Sequence, residues 1–370
     1  MIFLHLSDLH LGRRFHDVSL LEDQKFVLGQ ILDLLDSHGA DAVLIAGDVY
    51  DKAIPPAEAV RLLDWFLTAL ADRGLPVFLV SGNHDSAERL AFGAQLLHGR
   101  RLYVSPVFEG IDEPVILRDE HGEIRVHLLP FVKPVHVRRV FPDTAVESYT
   151  DAVQTVVDAW QIDPEVRNIL VAHQFVTGAV RSESETVSIG GLDDVSAAVF
   201  EPFDYTALGH LHSAQHVNGN IRYCGTPLAY SFSEGDRDKT VTWVELGEKG
   251  QITVSETVLK PLHAVQTRKG SFDTLLEGSS ENYLRIILTD EEDTPNALTR
   301  LRYRYPNLLR LEYDNRRTRA EALLEPVQAS ELSPMQLLED FFLSRNDQPM
   351  TEEQRELAKT WMEQIWEDEP

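Results

Sequence analysis

Five short apolar runs in this sequence each lead into residues whose side chains can hold a cation, and that repetition constrains the fold more than any other feature. Ile2-Phe3-Leu4-His5-Leu6, Ala42-Val43-Leu44-Ile45-Ala46, Val77-Phe78-Leu79-Val80, Asn168-Ile169-Leu170-Val171-Ala172 and Tyr205-Thr206-Ala207-Leu208 have the length and the aliphatic, aromatic and β-branched content of buried strands. They lead respectively to Asp8 and His10, to Asp48, to Asn83, to His173, and to His210 and His212. Ser81-Gly82 lets the backbone turn before Asn83 without a Cβ penalty. In an α/β sheet the C-terminal ends of the strands are where ligands bind. His5 alternates with strand residues and reads as structural, and the single cysteine, Cys224, reads as packing.

Between these runs the apolar period changes from strand to helix. Residues 22–38 show helical spacing (Phe26, Ile31, Leu34, Leu35) and close on Gly39. Pro55-Pro56 opens a second helix, striped by Val60, Leu63, Phe66, Leu67 and Leu70 and closed near Gly74, and a short helix follows the third strand as far as Leu97. Strand alternating with helix predicts an α/β sheet. Later, two short runs flank His121-Gly122 as a β-hairpin, and a helix is expected at about 148–160. Residues 177–190 read as a long polar loop, a candidate substrate or lid element. β-rich segments continue to about Leu259.

Composition shifts near Lys260-Pro261, and the chain divides into 1–260, a smaller unit at 261–330 and a tail at 331–370. The smaller unit carries Arg300, Arg302, Arg304, Arg310, Arg316, Arg317 and Arg319 against Glu312 and Asp314. The tail holds two amphipathic helical stretches, one striped by Leu337, Leu338, Phe341 and Phe342, the other by Leu357, Trp361, Ile365 and Trp366.

The 370 residues carry a net charge of −26, which repels nucleic acid unless basic residues gather locally or metal ions and a partner offset it. One cysteine precludes an internal disulfide. The sequence lacks a signal-peptide pattern and any apolar run of membrane-spanning length, so a cytoplasmic protein without a membrane association is the expectation.

The seven strand-end residues form a mixed nitrogen and oxygen donor set suited to Mn²⁺, Fe²⁺ or Zn²⁺ and unlike a calcium or a structural zinc site. The i,i+2 spacing of Asp8/His10 and of His210/His212 predicts both side chains on one side of an extended backbone. Gly47, Gly82 and Gly209 stand beside the donors, where a bulkier side chain would crowd a metal. Two metals about 3.5–4 Å apart, sharing a carboxylate, are the arrangement that drives in-line attack on phosphorus.

The ordered set Asp8-x-His10, Gly47-Asp48, Gly82-Asn83-His84-Asp85, His173 and Gly209-His210-x-His212 resembles the calcineurin-like metallophosphoesterase superfamily. Within it the chain is similar to the bacterial relatives of the double-strand-break repair nucleases, on Leu11-Gly12, on Gly47-Asp48-Val49-Tyr50-Asp51 with Pro55-Pro56 close behind, and on Tyr223-Cys224-Gly225-Thr226-Pro227-Leu228-Ala229-Tyr230-Ser231-Phe232-Ser233-Glu234. The likeness covers roughly 1–260 and is looser beyond. It implies a four-layer α/β/β/α sandwich with a small α/β capping domain and a helical tail. It places one metal on Asp8, His10 and His212, a second on Asn83, His173 and His210, and Asp48 between them. His84 would face the scissile phosphate, as transition-state stabiliser or acid towards the leaving 3′ oxygen. Asp51 would orient His84 or cap a helix, and Asp85 would cap the following helix.

The same resemblance implies a DNA nuclease with 3′→5′ double-strand exonuclease and single-strand endonuclease activity, working in repair, recombination and hairpin processing. It further implies two Mn²⁺ (with Mg²⁺, Fe²⁺ or Zn²⁺ as substitutes), a homodimer, and an SMC-like ATPase partner in a heterotetramer. The 56–70 helix then serves as a dimer face or as simple core. The Arg-rich stretch contacts phosphates or is a solvated face, and the tail docks on a coiled coil or packs back on its own chain. The rival enzyme is a phosphoprotein phosphatase or cyclic-nucleotide phosphodiesterase; Asp85 in place of glutamate, no arginine after Asp51, and the additional domain and tail all speak against it. A metal-free scaffold is disfavoured by the intact donor set.

Overall fold

In the computed structural model, residues 1–180, 194–292, 294–316, 334–346 and 348–367 are described. Two six-stranded sheets are stacked face to face. In the first, Ile2–Leu6, Ala42–Ala46, Val77–Val80 and Leu102–Val104 run parallel as neighbours, and Lys239–Leu246 and Ile252–Leu259 extend the sheet antiparallel beyond Ile2–Leu6. In the second, Gly122–Leu129, Arg167–His173, Tyr205–Gly209 and Ile221–Tyr223 are parallel, with antiparallel edges at Val115–Asp119 and Gln215–Asn218.

Strand alternation sorts the apolar side chains into two faces. Phe3, Leu44, Phe78 and Val244 point inward against Ile124, Val126, Ile169, Val171 and Tyr205, so both sheets share one apolar interior. Leu4, Leu6, Val43 and Ile45 point outward, under the helices Leu21–His38 and Ala57–Asp72. Leu170, Ala172 and Leu208 face the helix Tyr149–Ala159 through Ala152, Val153, Val156 and Val157. Helix, sheet, sheet, helix is the layered architecture expected. Each fully buried side chain of this kind contributes about 1.5–3 kcal/mol relative to exposure.

The helical stripes differ from expectation in two places. Phe26 and Val60 lie on the outward faces of their helices, 43% and 44% exposed, while Val27, Leu28 and Ile31 on one helix and Leu62, Leu63 and Phe66 on the other fill the core. Sequence spacing defines a stripe but not which edge of it meets the sheet. The short helix after the third strand is two separate turns, Ala87–Leu90 and Ala94–Leu97, broken at Gly93 in the left-handed region.

Beyond Leu259 a separate three-stranded parallel sheet, Val265–Gly270, Tyr283–Leu288 and Leu308–Tyr313, packs on the helices Phe272–Leu276 and Ala297–Arg302. It has its own small core of Phe272, Leu284, Ile286, Leu288, Leu301 and Tyr305. It meets the sandwich where Asp23, a buried carboxylate on the first helix, accepts the Tyr283 hydroxyl at 2.8 Å and the His263 backbone N–H at 3.0 Å. The tail forms two helices, Pro334–Asn346 and Glu352–Glu367, on which Phe341, Leu357 and Trp361 are exposed. Residues 181–190 of the expected loop, Arg317 and Arg319 lie outside the described residues.

Candidate metal centre

Parallel strands of the two sheets end on a common edge, and their polar residues meet there. The turn after the first strand is tied to the turn after the second: Asp8 N–H donates to the Gly47 carbonyl at 3.0 Å and His10 N–H to the Asp48 carbonyl at 2.9 Å. The His210 N–H donates to the Asp8 carboxylate at 3.1 Å, which joins the second sheet to the first.

The spacing predicted an extended backbone at Asp-x-His, but the turn is left-handed. Asp8, His10 and Asp48 have φ of 52°, 43° and 46°, and His210 has φ of 105°. Non-glycine residues avoid this region at a cost of order 1–3 kcal/mol each, and such strain gathers at functional sites. Here the backbone hydrogen bonds just described hold it in place.

The donor atoms of Asp8, His10 and His212 all lie within 4.8 Å of one another, and the same is true of Asp8, Asp48 and His173 and of His10, Asp48 and His84. Asn83 Oδ1 is 3.0 Å from both His173 Nε2 and His210 Nδ1. Asp48 Oδ2 lies 3.4 Å from His173 Nε2 and 3.7 Å from His10 Nε2, between the two groups. All seven residues singled out in the sequence are therefore brought together. Asp8, His10, Asp48, His173 and His212 are buried, and Asn83 and His210 form the open side.

The electrostatics fit a cation. Burial pushes the Asp8 carboxyl up to about 6 and the His10 imidazole well below its usual range. Burial opposes ionisation of Asp48 and His173 too, but their mutual attraction prevails, holding Asp48 well below the usual carboxylate range and raising His173 to about 9. Neither ring nitrogen of His10, although buried, has a hydrogen-bond partner among the described residues. A buried imidazole without partners is costly unless something else binds it. The donors are imidazole nitrogens, carboxylates and one amide oxygen, which fits Mn²⁺, Fe²⁺ or Zn²⁺.

The glycines make room for the ligands themselves. A Cβ on Gly47, whose φ is +84°, would sit 2.4 Å from His173 Nδ1, and one on Gly82 would sit 2.1 Å from Asp48 Oδ1. With no side chain between, the His173 ring packs on the Gly47 backbone and its Nδ1 donates to the Ala46 carbonyl at 2.8 Å, which leaves Nε2 for the centre.

His84 is half-buried beside this cluster, with Nε2 4.0 Å from Asp48 Oδ2. Its Nδ1 lies 3.0 Å from the Asp51 main-chain carbonyl oxygen. The Asp51 carboxylate instead pairs with Arg13 at 2.9 Å and lies 3.8 Å from His10 Nδ1. Asp85 does not cap the next helix: Ser86 does, and Asp85 accepts the N–H groups of Val49, Tyr50 and Gly82, bracing the Asp48 turn. Two further residues escaped the sequence reading. Arg13 stands three positions after His10, and Gln24, on the first helix, donates to the His10 carbonyl at 2.7 Å. Only their nearness to the first motif hinted at them.

The arginines of the smaller unit are not one free face. Arg300 lies 4.3 Å over the Phe272 ring, Arg310 pairs with Glu312, and Arg316 is 3.8 Å from Glu291, whereas Arg302 and Arg304 are exposed.

Residues 1–214 match the family described as calcineurin-like phosphoesterase, and residues 258–346 match one described as type 5 capsule protein repressor C-terminal domain. The D subunit of the nuclease SbcCD from Staphylococcus epidermidis is 29% identical over 372 residues, 97% of this chain and 97% of the relative. That of Staphylococcus saprophyticus is 29% identical over 378 residues, 100% of this chain and 99% of the relative. A dimetal phosphatase from Danio rerio, 11% identical, superposes with a TM-score of 0.43 over 70% of this chain and 99% of its own.

Proposed function

The chain belongs to the calcineurin-like phosphoesterase family, and from that premise we propose that it is a metal-dependent DNA nuclease, the hydrolytic component of an assembly with an SMC-like ATPase. The observation that carries this reading is the convergence of Asp8, His10, Asp48, Asn83, His173, His210 and His212 on one edge of the stacked sheets. Its support comes from full-length similarity to proteins named as the D subunit of the nuclease SbcCD.

Asp8, His10 and His212 would hold one metal, Asn83, His173 and His210 the other, with Asp48 shared; Mn²⁺ is the ion we assign to both. Divalent ions bound there would polarise the phosphodiester and supply hydroxide at neutral pH. The chain does the rest. His84, its Nδ1–H donated to the Asp51 carbonyl, presents Nε2 from the open side of the site and, as the imidazolium, can hand the Nε2 proton to the leaving 3′ oxygen. Arg13 holds the Asp51 carboxylate behind His10. The exposed Arg302 and Arg304 take the phosphate-positioning role, shared with Arg300, Arg316, Arg317 and Arg319. Residues 1–260 form the nuclease unit, 261–330 the cap and 331–370 the docking tail of a homodimer in the cytoplasm, acting on DNA ends and hairpins.

The test is cleavage of 3′-labelled duplex and of single-stranded DNA with Mn²⁺ by the wild type and by His84→Gln. Metal-dependent cleavage by the first and its collapse in the second is the expected result. Hydrolysis of a cyclic nucleotide or phosphoprotein without DNA cleavage would overturn the reading.

A further inference from the structure

The stretch Tyr223–Glu234 stood out in the sequence only as a mark of resemblance; in the fold it wraps around His212. Gly225, with φ of +74°, brings its backbone so close that a Cβ there would lie 2.9 Å from the His212 carbonyl oxygen. That oxygen accepts the Thr226 N–H at 3.2 Å and the Lys239 ammonium at 3.0 Å. The ring of the same histidine turns its Nδ1 to Glu234 Oε1 at 3.4 Å.

Glu234 is 1% exposed, and its carboxylate is held from several sides. Lys239 Nζ donates to Oε2 at 2.6 Å, the Ser231 hydroxyl to Oε1 at 3.0 Å, and the Tyr230 N–H to Oε2 at 3.4 Å. A buried carboxylate is costly unless paired and hydrogen-bonded, and both oxygens here have such partners.

We propose that Glu234 is the positioning residue for His212, accepting the Nδ1 proton so that the Nε2 lone pair is aimed into the metal centre. Lys239 clamps both halves of the arrangement, the carboxylate that holds the ring and the carbonyl that holds the backbone. Outer carboxylates of this kind fix the tautomer and orientation of metal-binding histidines and raise their basicity. Glu234 touches neither substrate nor reacting atoms. The proposal rests on the metal reading above, and it differs for the two halves of the site: His212 is held by a buried ion pair, His173 by a main-chain carbonyl.

Calorimetric titration of the metal-stripped full chain with Mn²⁺ tests it, using wild type, Glu234→Gln, His212→Ala and the double variant. Glu234→Gln should weaken one of the two binding phases by about 10–100-fold and leave the other unchanged. In the His212→Ala background it should add nothing. Unchanged binding in Glu234→Gln, or a loss that adds in full to that of His212→Ala, would overturn the proposal. If His212→Ala itself retains both phases, the assignment of His212 to a metal fails, and the role of Glu234 fails with it. A second measurement needs no variant. Long-range ¹⁵N NMR of the wild-type histidines should find His212 protonated on Nδ1 in the metal-free chain; the Nε2–H tautomer would contradict the proposal.

Discussion

At the edge where the parallel strands begin, Arg167 is 2% exposed and reaches the Asp119 carboxylate with both terminal nitrogens, along with the carbonyls of Gly247 at 2.8 Å and Gly122 at 2.9 Å. Asp119 also takes the terminal ammonium of Met1 at 3.2 Å. This cluster spans both sheets, and its positive charge comes from the chain. At the edge where the strands end, Asp8 and Asp48 are as deeply buried, yet they are surrounded by imidazoles, one of them without hydrogen-bond partners among the described residues. The first arrangement pairs its charges within the chain and serves stability. The second has donors in excess of protein cations and serves chemistry.

If that contrast is right, substitutions at the two edges should separate activity from stability. The largest effect is expected for Asp48→Asn, which removes the shared carboxylate. DNA hydrolysis by the folded fraction should fall by at least about a thousandfold, roughly 4 kcal/mol of transition-state stabilisation. Hydrolysis near the wild-type rate in that fraction would show that this edge, too, is only structural.

Arg167→Met is the converse. It leaves the Asp119 carboxylate without its main partner and should cost about 3–5 kcal/mol in denaturant unfolding. The folded fraction should hydrolyse DNA at the wild-type rate. Loss of metal binding in that fraction would break the comparison.

His84→Gln should reduce the single-turnover rate by about a hundredfold or more with metal content unchanged, because His84 stands beside the donors and is held by the Asp51 main chain. A parallel loss of metal would move His84 into the ligand set.

The smallest effect is in acid. Hydrogen bonding to Arg167 holds the Asp119 carboxyl well below its ordinary 3.8. A depressed carboxylate contributes stability that is complete above its unfolded value and lost as pH falls through the folded one. Wild-type melting temperature should therefore fall more steeply below pH 3.8 than that of Asp119→Asn. Equal slopes would contradict the pairing.

The layered fold and the convergence of the seven strand-end residues were legible because strand patterning and strand-end chemistry are local signals: Val77–Val80 reads as buried, and Asn83 follows it closely. What was not legible depends on side chains far apart in sequence. The Glu234 carboxylate reaches His212 across two intervening strands, Asp85 braces the Asp48 turn instead of capping a helix, and Asp51 meets His84 through its main-chain carbonyl. The extended reading of Asp8-x-His10 failed for a related reason. The N–H groups of that turn bond to carbonyls from another strand's turn, and this pairing sets a left-handed backbone that spacing alone does not reveal.

The most direct test of the central claim is metal add-back on DNA. Protein stripped with chelator should leave 3′-labelled duplex intact, and cleavage should return and saturate at about two equivalents of Mn²⁺ per chain. Cleavage that persists after stripping, or that never appears at any metal level, would contradict a two-metal nuclease at this edge.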